Sequence, residues 1–138
     1  VFRIARWQTK ARATPPYASF VQRVAAHVPA GAHVLGLQRY WLGLAHHRYT
    51  SWLVPVWWNQ APITDPPIPF DQAIERVAPD VILIDDAMHE YFDELASPAH
   101  PRHDRFLSWQ RYTARHLVAT DSVEDPVYGV MRILRVKR

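Results

Sequence analysis

The chain of 138 residues contains no cysteine, few glycines and almost no lysine. Without cysteine it can form neither a disulfide bond nor a thiolate metal site. Its four glycines form neither a GxGxxG turn nor a P-loop, so a dinucleotide-binding or phosphate-binding loop is not expected. A GxSxG motif, which presents a nucleophilic serine, is absent as well.

Long apolar runs and a strong charge of one sign are also missing. No run of about eighteen apolar residues is present, so the sequence predicts no membrane-spanning helix. The net charge is +3, and nearly all of the basic residues are arginines. This small excess lacks the dense basic stripe of nucleic-acid-binding proteins, so we do not expect a nucleic-acid partner. The arginines near both ends of the chain leave nucleic-acid contact as a weaker alternative.

The most informative segment runs from Val81 to Ile84 and is followed at once by Asp85 and Asp86. A short continuous apolar run of this kind predicts a strand buried on both faces of a parallel sheet. Ligands of open α/β sheets usually bind at the carboxyl ends of the central strands. Asp85 and Asp86 therefore mark the best candidate site.

Periodicity and turn residues predict the remaining elements. Helices are expected over residues 17–28, 70–77, 88–95 and about 106–115, with Asp86 capping the third of them. Strands are expected over residues 32–37, 49–58, 116–120 and 127–136, with a loop over 61–69 and a hairpin connection around 121–126. Residues 38–48 form either a short helix or an irregular segment.

These elements predict an α/β fold. The sheet would be mixed, parallel at the centre with an antiparallel C-terminal hairpin, and the helices would pack on it in two or three layers. Residues 15–138 would form a single α/β domain. Residues 1–14 would precede it as a basic lead-in, because four arginines and lysines alternate there with apolar residues and no acidic residue is present. This lead-in is either a solvated terminus or a juxtamembrane segment.

Two further groups of side chains are candidates for binding. On a helix, Asp86, His89 and Glu90 would share one face, where they either hold a divalent cation or form a solvated, helix-capping surface. Tyr40 and Trp41 belong to an aromatic concentration that is typical of a core, an interface or a sugar-stacking surface. Neither group predicts a catalytic residue, an assigned metal site or a cofactor.

The segments YASFVQRVAAHVPAG and HVLGLQRYWLGLAHHRY, followed later by APDVILID and the hairpin TARHLVATDSVEDPVYGVMRILRV, resemble a known family. They are similar to the soluble C-terminal portion of bacterial multi-spanning membrane glycosyltransferases, the group that includes dolichyl-phosphate-mannose protein mannosyltransferases. In that family a helix, a Pro-x-Gly turn and a hydrophobic strand follow the last membrane span. The similarity extends over nearly the whole chain.

The resemblance implies a non-catalytic accessory domain on the extracytoplasmic side, attached to the membrane part of the same parent chain. Such a domain would help bind an acceptor glycan or a lipid-linked sugar. The family's catalytic acidic residues lie between early membrane spans, so none of them can be assigned here. The alternative is a standalone α/β ligand-binding or metal-binding module that uses Asp85 and Asp86 at the end of their strand.

Overall fold

The computed structural model describes residues 17–138. In chain order its elements are α1 (Tyr17–Ala25), β1 (His33–Gly36), a 3-10 helix (Gln38–Leu44), β2 (Arg48–Ser51), α2 (Leu53–Trp58), α3 (Phe70–Val77), β3 (Val81–Ile84), α4 (Asp86–Leu95), α5 (His103–His116), β4 (Leu117–Asp125) and β5 (Gly129–Val136). The predicted basic lead-in, residues 1–14, lies outside the described residues.

The strands form one mixed sheet in the order β2-β1-β3-β5-β4. Strands β2, β1 and β3 are parallel, whereas β5 runs antiparallel to both β3 and β4. The predicted α/β class, with its mixed sheet and antiparallel C-terminal hairpin, is therefore confirmed. From β1 the chain moves to β2 on one side and then returns to β3 on the other. The carboxyl ends of β1 and β3 consequently flank the topological switch point of the sheet.

The sheet has helices on both faces, so the fold has three layers. Every residue of β1 and β3 is buried, which the continuous apolar run had predicted for β3. Because successive side chains in a strand point to opposite faces, Leu83 packs with α1 and the 3-10 helix. Its neighbours Ile82 and Ile84 pack on the other face with α3, α4 and α5. Each face thus has its own apolar core.

The strand predicted over residues 49–58 is wrong beyond Ser51, because α2 begins at Leu53. Trp52 ends the strand: it is buried, and its indole N–H donates to the Leu83 carbonyl at 3.1 Å. Pro55 then falls in the first turn of α2, where its missing N–H costs nothing. Tertiary contact therefore overrides the strand propensity of this aromatic segment, and Trp57 lies on a helix.

The C-terminal hairpin is longer than predicted, and its connection is shorter. Strand β4 extends to Asp125, so the polar residues expected in a loop over 121–126 lie mostly on an exposed edge strand. The turn is closed by Asp125 Oδ1, which accepts from the N–H groups of Val127 at 2.8 Å and Tyr128 at 3.1 Å. Gly129 follows with a φ of 78°, a conformation that favours glycine.

Candidate functional site

The side chains that could take part in binding or catalysis lie at the carboxyl edge of the parallel strands. Gln38, Arg39 and Tyr40 follow β1, and Asp85 and Asp86 follow β3. These two segments come together across the switch point although Arg39 and Asp85 are 46 residues apart in the chain. Asp85, half of the predicted strand-end site, therefore contacts Tyr40, which the sequence placed in a separate group with Trp41.

Asp85 is buried and fully engaged by its own chain. Its Oδ1 accepts from the Met88 N–H at 2.9 Å, which makes Asp85 the N-cap of α4. Its Oδ2 accepts from the Tyr40 hydroxyl at 2.7 Å and from Arg39 Nη2. The sequence had placed Asp86 at the cap. That prediction is wrong because α4 begins at Asp86 rather than at Met88, so the capping residue is Asp85.

The surroundings of Tyr40 and Arg39 favour the protonated form of both side chains. Burial, together with the Asp85 carboxylate that accepts from its hydroxyl, raises the pKa of Tyr40 far above the usual value. Partial burial alone would lower the pKa of Arg39, but the hydrogen bond to Asp85 and the electrostatic interactions with Asp85 and Tyr40 together outweigh it and raise that pKa. The raised pKa therefore agrees with Tyr40 donating its hydroxyl hydrogen to Asp85.

Asp86, His89 and Glu90 are exposed on α4, but the structure gives the first two separate partners. Asp86 accepts from the Val130 N–H at 3.2 Å and from Arg132 Nη1 at 3.4 Å, which ties the start of α4 to β5. His89 Nε2 lies 3.4 Å from an Asp93 oxygen, one turn further along the helix. Within residues 17–138, no group of three or more histidine, aspartate and glutamate side chains is placed to hold a metal ion.

Trp41 belongs to a different feature, a groove of about 470 Å³ beside the switch point. Tyr40 and Trp41 were predicted together as ligand-binding residues, yet Tyr40 is buried against Asp85 whereas Trp41 is half exposed. The groove is lined by the side chains of the 3-10 helix, β2 and α2 that meet there: Gln38, Trp41, Tyr49, Ser51, Leu53, Val54 and Trp57. It is mainly apolar, and an amide and a hydroxyl lie among its lining groups.

Local contacts hold the walls of this groove in place. The Tyr49 hydroxyl donates to the Leu37 carbonyl at 2.6 Å, which fixes the ring against the chain that leaves β1. Ser51 Oγ accepts from the Leu53 N–H at 3.2 Å at the start of α2. The rings of Trp41 and Trp57 keep about half of their surface exposed. Apolar pockets of this size with a few polar groups are typical small-molecule sites.

Sequence reasoning missed Arg39 and most of the groove. A signal for Arg39 was present, since it is a charged residue close behind a buried strand and so is a natural partner for a carboxylate behind the neighbouring strand. The groove had no comparable signal, because one of its walls is α2 and the sequence predicts a strand for that segment.

Comparisons with protein-family models, with curated proteins and with solved structures found no match to this chain. None of the helices within residues 17–138 has both the length and the apolar composition that crossing a bilayer requires.

Proposed function

We propose that this chain is a non-catalytic accessory domain of a membrane-bound glycosyltransferase, in which the groove beside Trp41 and Trp57 holds a sugar. The sugar would belong to the acceptor glycan or to a lipid-linked donor. The observation that carries the proposal is the pair of half-exposed tryptophans on the walls of one groove. Indole rings stack on the apolar faces of sugar rings, and Gln38 and Ser51 can hydrogen-bond to sugar hydroxyls.

The state of Asp85 supports a binding role over a catalytic one. A catalytic carboxylate needs an oxygen that is free to meet a substrate, yet both oxygens of Asp85 accept hydrogen bonds from the chain itself. Asp86 is paired with β5. These contacts also weaken the alternative of a standalone module that binds a ligand or metal through Asp85 and Asp86.

The resemblance of the sequence to the C-terminal portion of membrane glycosyltransferases supplies the setting of the proposal. In that setting the membrane part of the same parent chain performs the sugar transfer, and this domain lies on the extracytoplasmic side. Its contribution would be to raise the local concentration of a sugar-bearing substrate near the catalytic part.

The test is a sugar titration of the 138-residue chain without lipid, in which binding is measured by calorimetry and by intrinsic tryptophan fluorescence. The probes are the methyl glycosides of mannose, glucose and galactose, and mannobiose. We expect weak, saturable binding that falls at least about tenfold in Trp57→Ala. Leu107→Ala is the matched control, since Leu107 is similarly exposed but lies on α5.

Two outcomes would contradict the proposal. The first is that the unmodified chain and Trp57→Ala bind sugar equally well, or that neither of them binds sugar. The second is sugar transfer from a polyprenyl-phosphate mannose donor by this chain alone, which would make it catalytic.

A further inference from the structure

Four large exposed apolar side chains lie in or next to the groove: three of them line it, and the fourth, Leu42, follows Trp41 in the chain. Trp41 and Leu42 lie on the 3-10 helix that follows β1, and Leu53 and Trp57 lie on the α2 helix that follows β2. Leu42 is 80% exposed, which is extreme for a leucine, and the other three are 42–50% exposed. Several large exposed apolar side chains on neighbouring elements are typical of a contact surface. We call these four residues the edge patch.

The chain enters the described part of the structure at the same end. Tyr17, the first described residue, donates its hydroxyl to the Arg39 carbonyl at 2.8 Å. Tyr17 also lines a hollow of about 320 Å³ together with Leu42 and Gly43. The point where the chain arrives from residues 1–16 therefore borders the edge patch at Leu42.

The sequence that leads to this point is basic and aromatic. Residues 1–14 contain Phe2, Ile4 and Trp7 among three arginines and a lysine, with no acidic residue. Arginine, lysine and tryptophan are enriched where chains meet lipid headgroups. Arg39 adds a further cation beside the patch, and its side chain is 55% exposed.

We propose that the edge patch lies on a lipid bilayer, with Trp41, Leu42, Leu53 and Trp57 at the level of the headgroups. This position is favourable in free energy for tryptophan and leucine side chains, because their apolar surface is removed from water. A second copy of the chain is a poorer occupant, since a symmetric interface would bring the Arg39 side chains of both copies together. The proposal goes beyond the proposed function and does not require that the groove bind sugar.

The experiment measures co-sedimentation of the whole 138-residue chain with vesicles. One set of vesicles is phosphatidylcholine alone, and the other contains phosphatidylglycerol as well. We expect the chain to bind both, with tighter binding to the anionic vesicles. The double variant Leu42→Ser/Trp57→Ser should bind both kinds of vesicle at least about tenfold more weakly, because two apolar contacts with the bilayer are lost.

The matched control is Val118→Ser. Val118 is 65% exposed on the edge strand β4, and it borders a hollow formed with Pro29 and Gly31 at the opposite end of the sheet. Its replacement should leave the vesicle affinity unchanged. Circular dichroism and urea unfolding confirm that both variants are folded before their affinities are compared.

Three results would overturn the proposal. They are the absence of vesicle binding, an equal affinity of the chain and the edge-patch variant, and an equal loss of affinity in Val118→Ser. Sedimentation velocity without lipid tests whether a second copy of the chain binds the patch instead. If the chain self-associates, does not bind vesicles, and loses its self-association in Leu42→Ser/Trp57→Ser, a second copy covers the patch. Because the sugar titration contains no lipid, its outcome is independent of this one.

Discussion

Replacement of Asp85 by alanine should destabilise the protein strongly, because this buried carboxylate joins three elements. It caps α4 through the Met88 N–H, accepts from the Tyr40 hydroxyl and pairs with Arg39. Tyr40 is itself buried, so its hydroxyl has no access to water once the carboxylate is gone. The switch point of the sheet would lose the contact that holds the segment after β1 to the segment after β3.

The size of the effect follows from the separate contacts of Asp85. Loss of an N-cap costs about 1 kcal/mol. An unpaired buried hydroxyl of Tyr40 costs about 1–3 kcal/mol. The pair with Arg39 adds at most about 0.5 kcal/mol, because the arginine is more than half exposed and solvent screens the interaction. The sum is about 2–4 kcal/mol of unfolding free energy.

Urea unfolding followed by circular dichroism measures this loss. With a slope of about 1.5–2 kcal/mol per molar, which is typical of small domains, the midpoint should fall by about 1–2.7 M. Asp85→Asn keeps an acceptor for the cap and should lose less than half as much. Asp86→Ala is the control, and its loss should be within about 1 kcal/mol since the bonds of Asp86 are long and exposed. A stability gain in Asp85→Ala, as expected for a strained active-site carboxylate, would refute this reasoning.

Two further predictions concern glycine geometry and pH. Gly31→Ala should lower the free energy of unfolding by about 1 kcal/mol, because the φ of Gly31 is 75° and no atom lies within 4 Å of the added Cβ. Gly129→Ala should lower it clearly more, because the added Cβ would overlap the Asp86 carboxylate. Equal losses of unfolding free energy in the two variants would contradict this. Burial lowers the pKa of His33, so below about pH 6.5 the unfolded chain binds a proton that the folded chain does not, and stability falls as the pH drops. Urea midpoints at about pH 7.5 and about pH 5.5 should therefore differ less in His33→Gln than in the unmodified chain. An unchanged difference would contradict a contribution of His33 to the loss of stability at low pH.

The parts of the fold that could be predicted from the sequence are those whose signal is local. Strand β3 was recognisable because four apolar residues stand directly before two carboxylates, and α3 because its apolar residues repeat at helical spacing. The turn after α1 was marked by Pro29 and Gly31. In each case the residues that decide the structure are close together in the chain.

The parts that could not be predicted depend on distant contacts. The end of β2 is set by Trp52 and the Leu83 carbonyl, 31 residues away, and without that contact the segment has the composition of a strand. The role of Asp85 as a cap bonded to Tyr40 and Arg39 depends on two segments that meet only in the folded sheet. The groove beside Trp41 and Trp57 has the same origin, because its walls come from three elements.

The central claim is that the carboxyl edge of the sheet binds ligands through its tryptophans, with Asp85 as a structural support. The most direct test is the indole N–H region of a ¹H–¹⁵N NMR spectrum of the 138-residue chain during titration with mannobiose. Trp52 is an internal reference, because its indole is buried and hydrogen-bonded to Leu83. We predict that the indole signals of Trp41 and Trp57 shift in a saturable way while that of Trp52 stays in place. Unchanged signals of Trp41 and Trp57, or shifts centred on the residues around Asp85 instead, would contradict the account.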